Sequence, residues 1–278
     1  MGKGEAAKRY SAHGKAEDER REQMPDPSEV LPQQLPAAAS TGPVAPAAPR
    51  KRVAPLLHTA LLIVVLLGFS FLTAHSQHKF AERNGRPAQY VMVIAWEWIL
   101  FAYVVYGLRR ERVSLRELTG GRWRTPEDVL LDIAPAAVFW IVAITLLAAI
   151  GHALGLTKAG QFAEAKKQIA FLIPRSNLEL ALWIGLSATA GFCEEIIFRG
   201  YLQRQLAALT QSTIAGVLIS ALLFGSAHAY EGGKRMVLIA IYGAMFGLLA
   251  WWRKSLRPGM MAHAFHDSFT GAMLRFMG

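Results

Sequence analysis

Seven apolar runs, each close to the length that crosses a lipid bilayer, dominate the sequence between residues 55 and 276. A helix needs about 20 consecutive apolar residues to span the hydrocarbon layer. The runs lie at 55–74, 90–108, 129–151, 180–200, 213–229, 236–252 and 260–276. A soluble core would instead show short apolar stripes at helical or strand period. Backbone in lipid must be satisfied within helices or a closed barrel, and no strand alternation long enough for a barrel is present. The pattern therefore predicts an all-α fold, a polytopic transmembrane bundle of about seven to eight helices. The last run is the weakest, because His263, His266 and Asp267 within it need a polar interior to be held in a spanning helix.

The flanks of these runs carry the topology. Arg50, Lys51 and Arg52 precede the first run and six arginines follow the second in "RRERVSLRELTGGRWR". By the positive-inside rule both ends face the cytoplasm, which predicts a multi-pass protein of the plasma (cytoplasmic) membrane with a cytoplasmic N-terminus. The net charge of +10 could also suggest nucleic acid. The basic residues sit beside apolar blocks, however, without the interleaved aromatics of a nucleic-acid platform, so no nucleic-acid partner is expected. Residues 1–54 hold seven of the thirteen prolines and a nearly balanced set of nine Lys/Arg and seven Asp/Glu. Such a composition cannot bury a core and predicts a disordered cytoplasmic tail, ahead of a transmembrane domain over 55–278. Cys193 is the only cysteine, which excludes an intrachain disulfide and fits a small buried hydrophobe.

The charges inside "GFCEEIIFRG", residues 191–200, are the informative exception. A carboxylate at mid-bilayer costs about 2.5–3.5 kcal/mol, against about 0.3–0.6 returned by each Leu, Ile or Phe. Glu194 and Glu195 therefore need partners. Glu195 and Arg199 are four residues apart, on one helix face, where they can pair. Glu194 lies about 100° away, on a stripe with Ser187, Ala190 and Gly191 that should face another helix at close range. "FGSAH" sets Phe224 and His228 four apart, and "HAFHD" does the same for His263 and Asp267. A hairpin folded near residue 211 leaves Glu194 and His228 equally far from the turn, so both can meet at one depth. Structural polar contacts between helices could use any one of these residues; a cluster of this size points to a functional site.

In combination, "EEIIFR", "FGSAH" and "HAFHD" resemble the E-E-x-x-x-R, F-x-x-x-H and H-x-x-x-N/D signatures of the CPBP intramembrane proteases. That family includes the type II CAAX prenyl endopeptidases and the bacteriocin-processing and Abi groups. The resemblance covers 178–272, which it marks as the protease core. It implies that Glu194 is a general base activating a water held jointly with His228. It further implies that His263 and residue 267 stabilise the oxyanion, and that Glu195 and Arg199 brace Glu194. Asp267 departs from the asparagine common at its position, and an ionised aspartate cannot donate a hydrogen bond, which leaves three readings open: a protonated carboxyl, a partner that orients His263, or a metal ligand. Glutamate catalysis without metal is the expectation, with zinc on Glu194, His228 and His263 as the alternative. The implied partners are the bilayer and a protein or peptide substrate that is membrane-associated, CAAX-like or lipid-modified. A non-enzymatic immunity factor or small transporter using the same charges is the rival.

Other polar residues carry weaker readings. Glu97, between Trp96 and Trp98, has two readings, a residue lining the cavity and, the favoured one, a structural partner for an internal arginine or histidine. His266 is at most a supporting residue, while His58, His75, His78 and His152 read as interface or solvent positions, and the aromatics of "WEWILFAY" as lipid contacts. No H-E-x-x-H helix or G-x-S-x-G turn is present, which disfavours zinc and serine chemistry of the other intramembrane kinds.

Overall fold

The computed structural model describes residues 50–73, 76–157, 160, 164, 167 and 169–276. Among them every regular element is helical. In chain order they are α1 (Leu56–Thr73), α2 (Gln77–Asn84), α3 (Arg86–Arg110), α4 (Leu115–Thr119), α5 (Pro126–Ala153) and α6 (Asn177–Glu194). A π-helical segment, Glu195–Leu202, carries α6 without a break into α7 (Gln203–Thr210). Then follow α8 (Thr213–Ala227), a 3₁₀ turn (Ala229–Glu231), α9 (Gly233–Arg253) and α10 (Arg257–Phe276).

Local chemistry explains where these helices start and stop. Thr125 and Asp128 form a reciprocal capping box ahead of Pro126, which suits the first helical position of α5. Ser176 accepts from Glu179 N at the start of α6, and Ser212 accepts from Ala215 N at the start of α8. Gln211 ends α7 in the left-handed region, with φ 54°. The hairpin thus turns where the sequence predicted.

Four helical stretches are long and apolar enough to cross a membrane: Arg86–Arg110, Pro126–Ala153, Asn177–Thr210 and Gly233–Arg253. Leu56–Leu72 and Thr213–Ala227 are apolar but shorter. This is the pattern of a multi-pass integral membrane protein. Large apolar side chains such as Leu57, Phe71, Leu130 and Leu222 lie more than half exposed on the outside of the helices. In water such a surface would be an aggregation hazard; in lipid it has its matching solvent.

Two features depart from the sequence reading. Most of the predicted tail lies outside the described residues, but its last residues are tied down. Val53 and Ala54 are buried and donate backbone N–H groups to Gln205 Oε1 at 2.8 and 3.2 Å, and Gln205 Nε2 returns a bond to Ala54 O at 2.8 Å. Val53 and Ala54 therefore pack with the helices, although the sequence reading places them in the tail. The basic loop "RKSLRPG" does more than mark topology. Pro135 removes an N–H from α5 and leaves the Leu131 carbonyl four residues back without its helical donor. Arg253 donates to that carbonyl at 2.9 Å, while Arg257 pairs with the buried Asp132 at 2.7 Å. The loop between α9 and α10 is thereby clamped onto α5.

Candidate active site

The site is built where α6, α8 and α10 converge. The small-residue stripe of α6 is buried as predicted, at Ser187, Ala190 and Gly191. It lets α10 approach to backbone range, because a Cβ on Gly191 would stand 2.8 Å from both Ala264 N and Met260 O. That approach delivers His263 to the two glutamates. The α6 helix widens into π geometry at Glu195, inside the charged motif. Single π turns in α-helices often accompany functional positions, and nothing in the apolar spacing announced this one.

Glu195 Oε1 is the hub of a buried network. It accepts from Arg199 Nη1 at 2.9 Å and from His263 Nδ1 at 3.1 Å. Arg199 also donates from Nη2 to Gly243 O at 3.2 Å. Its guanidinium lies 4.3 Å from the Phe224 ring centroid and 5.1 Å from that of Phe246. With exposures of 0% for the Glu195 side chain and 2% for that of Arg199, this pair has no water to fall back on. The i,i+4 partnership is the one expected, but the bracing contact runs to His263; Glu194 receives none from Glu195 or Arg199.

A carboxylate oxygen can only accept, so His263 Nδ1 carries a hydrogen and the ring is fixed with Nε2 directed elsewhere. Nε2 stands 3.6 Å from Glu194 Oε2 and 3.5 Å from Asp267 Oδ2. Both separations are slightly too long for a strong direct bond. His228 is oriented by a different device. Its Nδ1 donates to Phe224 O at 2.9 Å, which in the neutral ring leaves the Nε2 lone pair available. Phe224 thus explains the F-x-x-x-H spacing twice, as carbonyl for His228 and as ring against Arg199.

Glu194, His228, His263 and Asp267 all line one cavity of about 590 Å³, within the range of small-ligand sites. Its walls are otherwise mostly apolar, with Leu66, Phe69, Trp96, Leu100, Ile173 and Leu186 among them. Glu195 and Arg199 lie behind this surface. Glu194 Oε2 is buried with no hydrogen-bond partner among the described residues, a cost normally tolerated only where a role requires it. Among the described residues no group of three His, Cys, Asp or Glu side chains is arranged to hold a metal ion. Glu194, His228 and His263 therefore do not form, in this structure, the zinc ligand set weighed from the sequence.

Several residues fall differently from their sequence reading. Glu97 is 6% exposed and lines the cavity, and its Oε2 has no partner among the described residues. No arginine or histidine among those residues meets it, so it is not the structural partner expected. His266 also lines the cavity, and its Nδ1 accepts from Trp140 Nε1 at 3.3 Å. His58 is a core residue, bonded to Tyr201 Oη at 2.7 Å and Tyr103 O at 3.0 Å and stacked on the Tyr103 ring. Its position near a span end hid that burial. His152 is exposed as predicted, while His75 and the His78 side chain lie outside the described residues. Trp96 stacks on Phe69 and lines the cavity, whereas Trp98 is 44% exposed. Only part of the "WEWILFAY" segment thus faces outward. Cys193 is a buried free thiol. Tyr242, which no motif flagged, enters the cavity wall from α9.

No curated protein and no solved structure matches the chain. A family model described as type II CAAX prenyl endopeptidase Rce1-like does match, over residues 176–269, and this stretch, which holds Glu194, Glu195, Arg199, His228, His263 and Asp267, is a domain of that family.

Proposed function

We propose that the chain is an intramembrane endopeptidase that hydrolyses a peptide bond in a membrane-associated protein or peptide, CAAX-like or otherwise lipid-modified. The observation that carries this reading is the convergence of Glu194, His228, His263 and Asp267 on one largely apolar cavity. An apolar wall suits a lipid-linked or aliphatic substrate, and the few polar groups fix its orientation. The family match supports a peptidase acting at the membrane.

In this reading a water lies between Glu194 and the Nε2 lone pair of His228. Glu194 takes one proton, and the hydroxide attacks the peptide carbonyl carbon. The carbonyl oxygen becomes an oxyanion facing His263. With Nδ1–H committed to Glu195, His263 donates from Nε2 as an imidazolium, whose charge the facing Glu194 and Asp267 carboxyl groups offset. When the C–N bond breaks, Glu194 returns its proton to the leaving nitrogen, so the products are an amine and a carboxylic acid that keeps the water's second proton until it ionises. Glu195 and Arg199 hold His263 in register. The N-terminus is cytoplasmic in this proposal, seven to eight of the helices within residues 55–278 cross the membrane, and the site opens to the cytoplasmic half of the plasma membrane.

The test is Glu194→Gln, which keeps the shape of the side chain and removes the base. Loss of a general base lowers the rate by about 100- to 10,000-fold. Mass spectrometry of membrane proteins should show termini that arise with the wild-type chain and vanish with Glu194→Gln. Identical termini in both would support the rival reading of a non-enzymatic immunity factor or transporter.

A further inference from the structure

We propose that the Tyr242 hydroxyl donates a hydrogen bond to the carbonyl oxygen of the bound peptide and to the oxyanion that oxygen becomes. The inference rests on the reaction proposed above and adds to it a catalytic residue from α9, a helix that carries none of the three motifs.

Three observations converge on Tyr242. Its side chain is 7% exposed and lines the same cavity as Glu194 and Asp267. Its Oη is buried and has no hydrogen-bond partner among the described residues. Buried tyrosine hydroxyls usually have one. Three other donors on the cavity wall, Ser70, Ser187 and Trp183, are already engaged, each donating to a backbone carbonyl.

The ring is nevertheless held firmly. It packs against Phe246 at a centroid distance of 4.5 Å and meets His266 edge-on at 5.1 Å. The next residue, Gly243, accepts from Arg199, so the pair that fixes His263 also anchors the backbone beside Tyr242. Packing positions the hydroxyl without using its hydrogen bond. A preorganised donor of this kind needs no rearrangement when charge develops on the substrate.

The chemistry also needs such a donor. A tetrahedral oxyanion is best served by at least two hydrogen bonds, and His263 can supply one from Nε2. Asp267 stands where a carboxamide would supply another, and an ionised carboxylate only accepts. The phenol O–H supplies the missing donation and passes no proton; no bond other than the hydrogen bond forms or breaks at Tyr242.

The experiment compares wild type, Tyr242→Phe and Glu194→Gln as full chains purified in detergent. The probe is a fluorescence-quenched prenylated peptide ending in a Cys-aliphatic-aliphatic-X sequence. Removing one oxyanion donor should lower kcat of Tyr242→Phe by about 100- to 1,000-fold with KM little changed. The thermal midpoint should stay level or rise, because a hydroxyl without a protein partner adds nothing to the fold. A wild-type kcat in Tyr242→Phe overturns the inference and leaves the endopeptidase reading standing. A clearly lowered thermal midpoint also overturns it, since the hydroxyl would then be structural. Cleavage that persists in Glu194→Gln removes the underlying reading, and the inference with it.

Discussion

Replacing Arg199 with methionine isolates the energetic weight of the buried network. The substitution keeps an unbranched apolar stem among Phe224 and Phe246, so little volume is lost. It removes the 2.9 Å bond to Glu195 Oε1 and the 3.2 Å bond to Gly243 O. Each hydrogen bond to a charged group contributes about 1.5–3 kcal/mol, which gives a loss of about 3–6 kcal/mol. The general cost of breaking a buried ion pair by removing one partner, about 3–5 kcal/mol, agrees. Much of that cost is the Glu195 carboxylate left behind with His263 as its remaining partner. Glu195→Gln in the same chain should therefore recover part of the loss, with an interaction energy near the upper end of about 0.5–3 kcal/mol. Unfolding followed by circular dichroism as sodium dodecyl sulfate is titrated into mild-detergent micelles would measure both variants and the double variant. A loss below about 1 kcal/mol, the size seen for exposed pairs, would refute the reasoning. So would single penalties that simply add.

Further outcomes follow from other contacts. Tyr201 Oη bonds both His58 Nδ1 and Thr59 Oγ1 in the core, so Tyr201→Phe should cost about 1–3 kcal/mol through the polar atoms left unpaired, read by the same titration. Gly191→Val should lower both the thermal midpoint and the cleavage rate, because its Cβ meets Ala264 N and Met260 O at 2.8 Å and must push α10, and His263 with it, away from Glu194; a variant as stable and active as wild type would show that this close approach is dispensable.

Much of the architecture was legible because lipid imposes a coarse and strict rule on sequence. The run 129–151 became Pro126–Ala153, and 236–252 became Gly233–Arg253. The hairpin near 211, the i,i+4 pair of Glu195 and Arg199 and the buried small-residue stripe on α6 were all read from spacing. The short helices α2 and α4 escaped, since five to eight residues are too few to give a periodic signal. His58 was misread because proximity to a span end says nothing about which neighbours close over a side chain. Glu97 was noticed as a charge in an apolar run, but which group it would face depends on helix rotation.

The sequence by itself determined that the chain forms apolar helices of membrane-crossing length, and which charged residues break that pattern, because hydropathy and helical period are local properties. Only the tertiary structure decided that Glu195 reaches His263, that Asp132 receives the arginines of a distant loop, and that Tyr242, its hydroxyl unpartnered among the described residues, joins the cavity wall. Those are facts of packing between helices far apart in the chain, where rotation and approach distance set each contact, and neither is written in the order of residues along one helix.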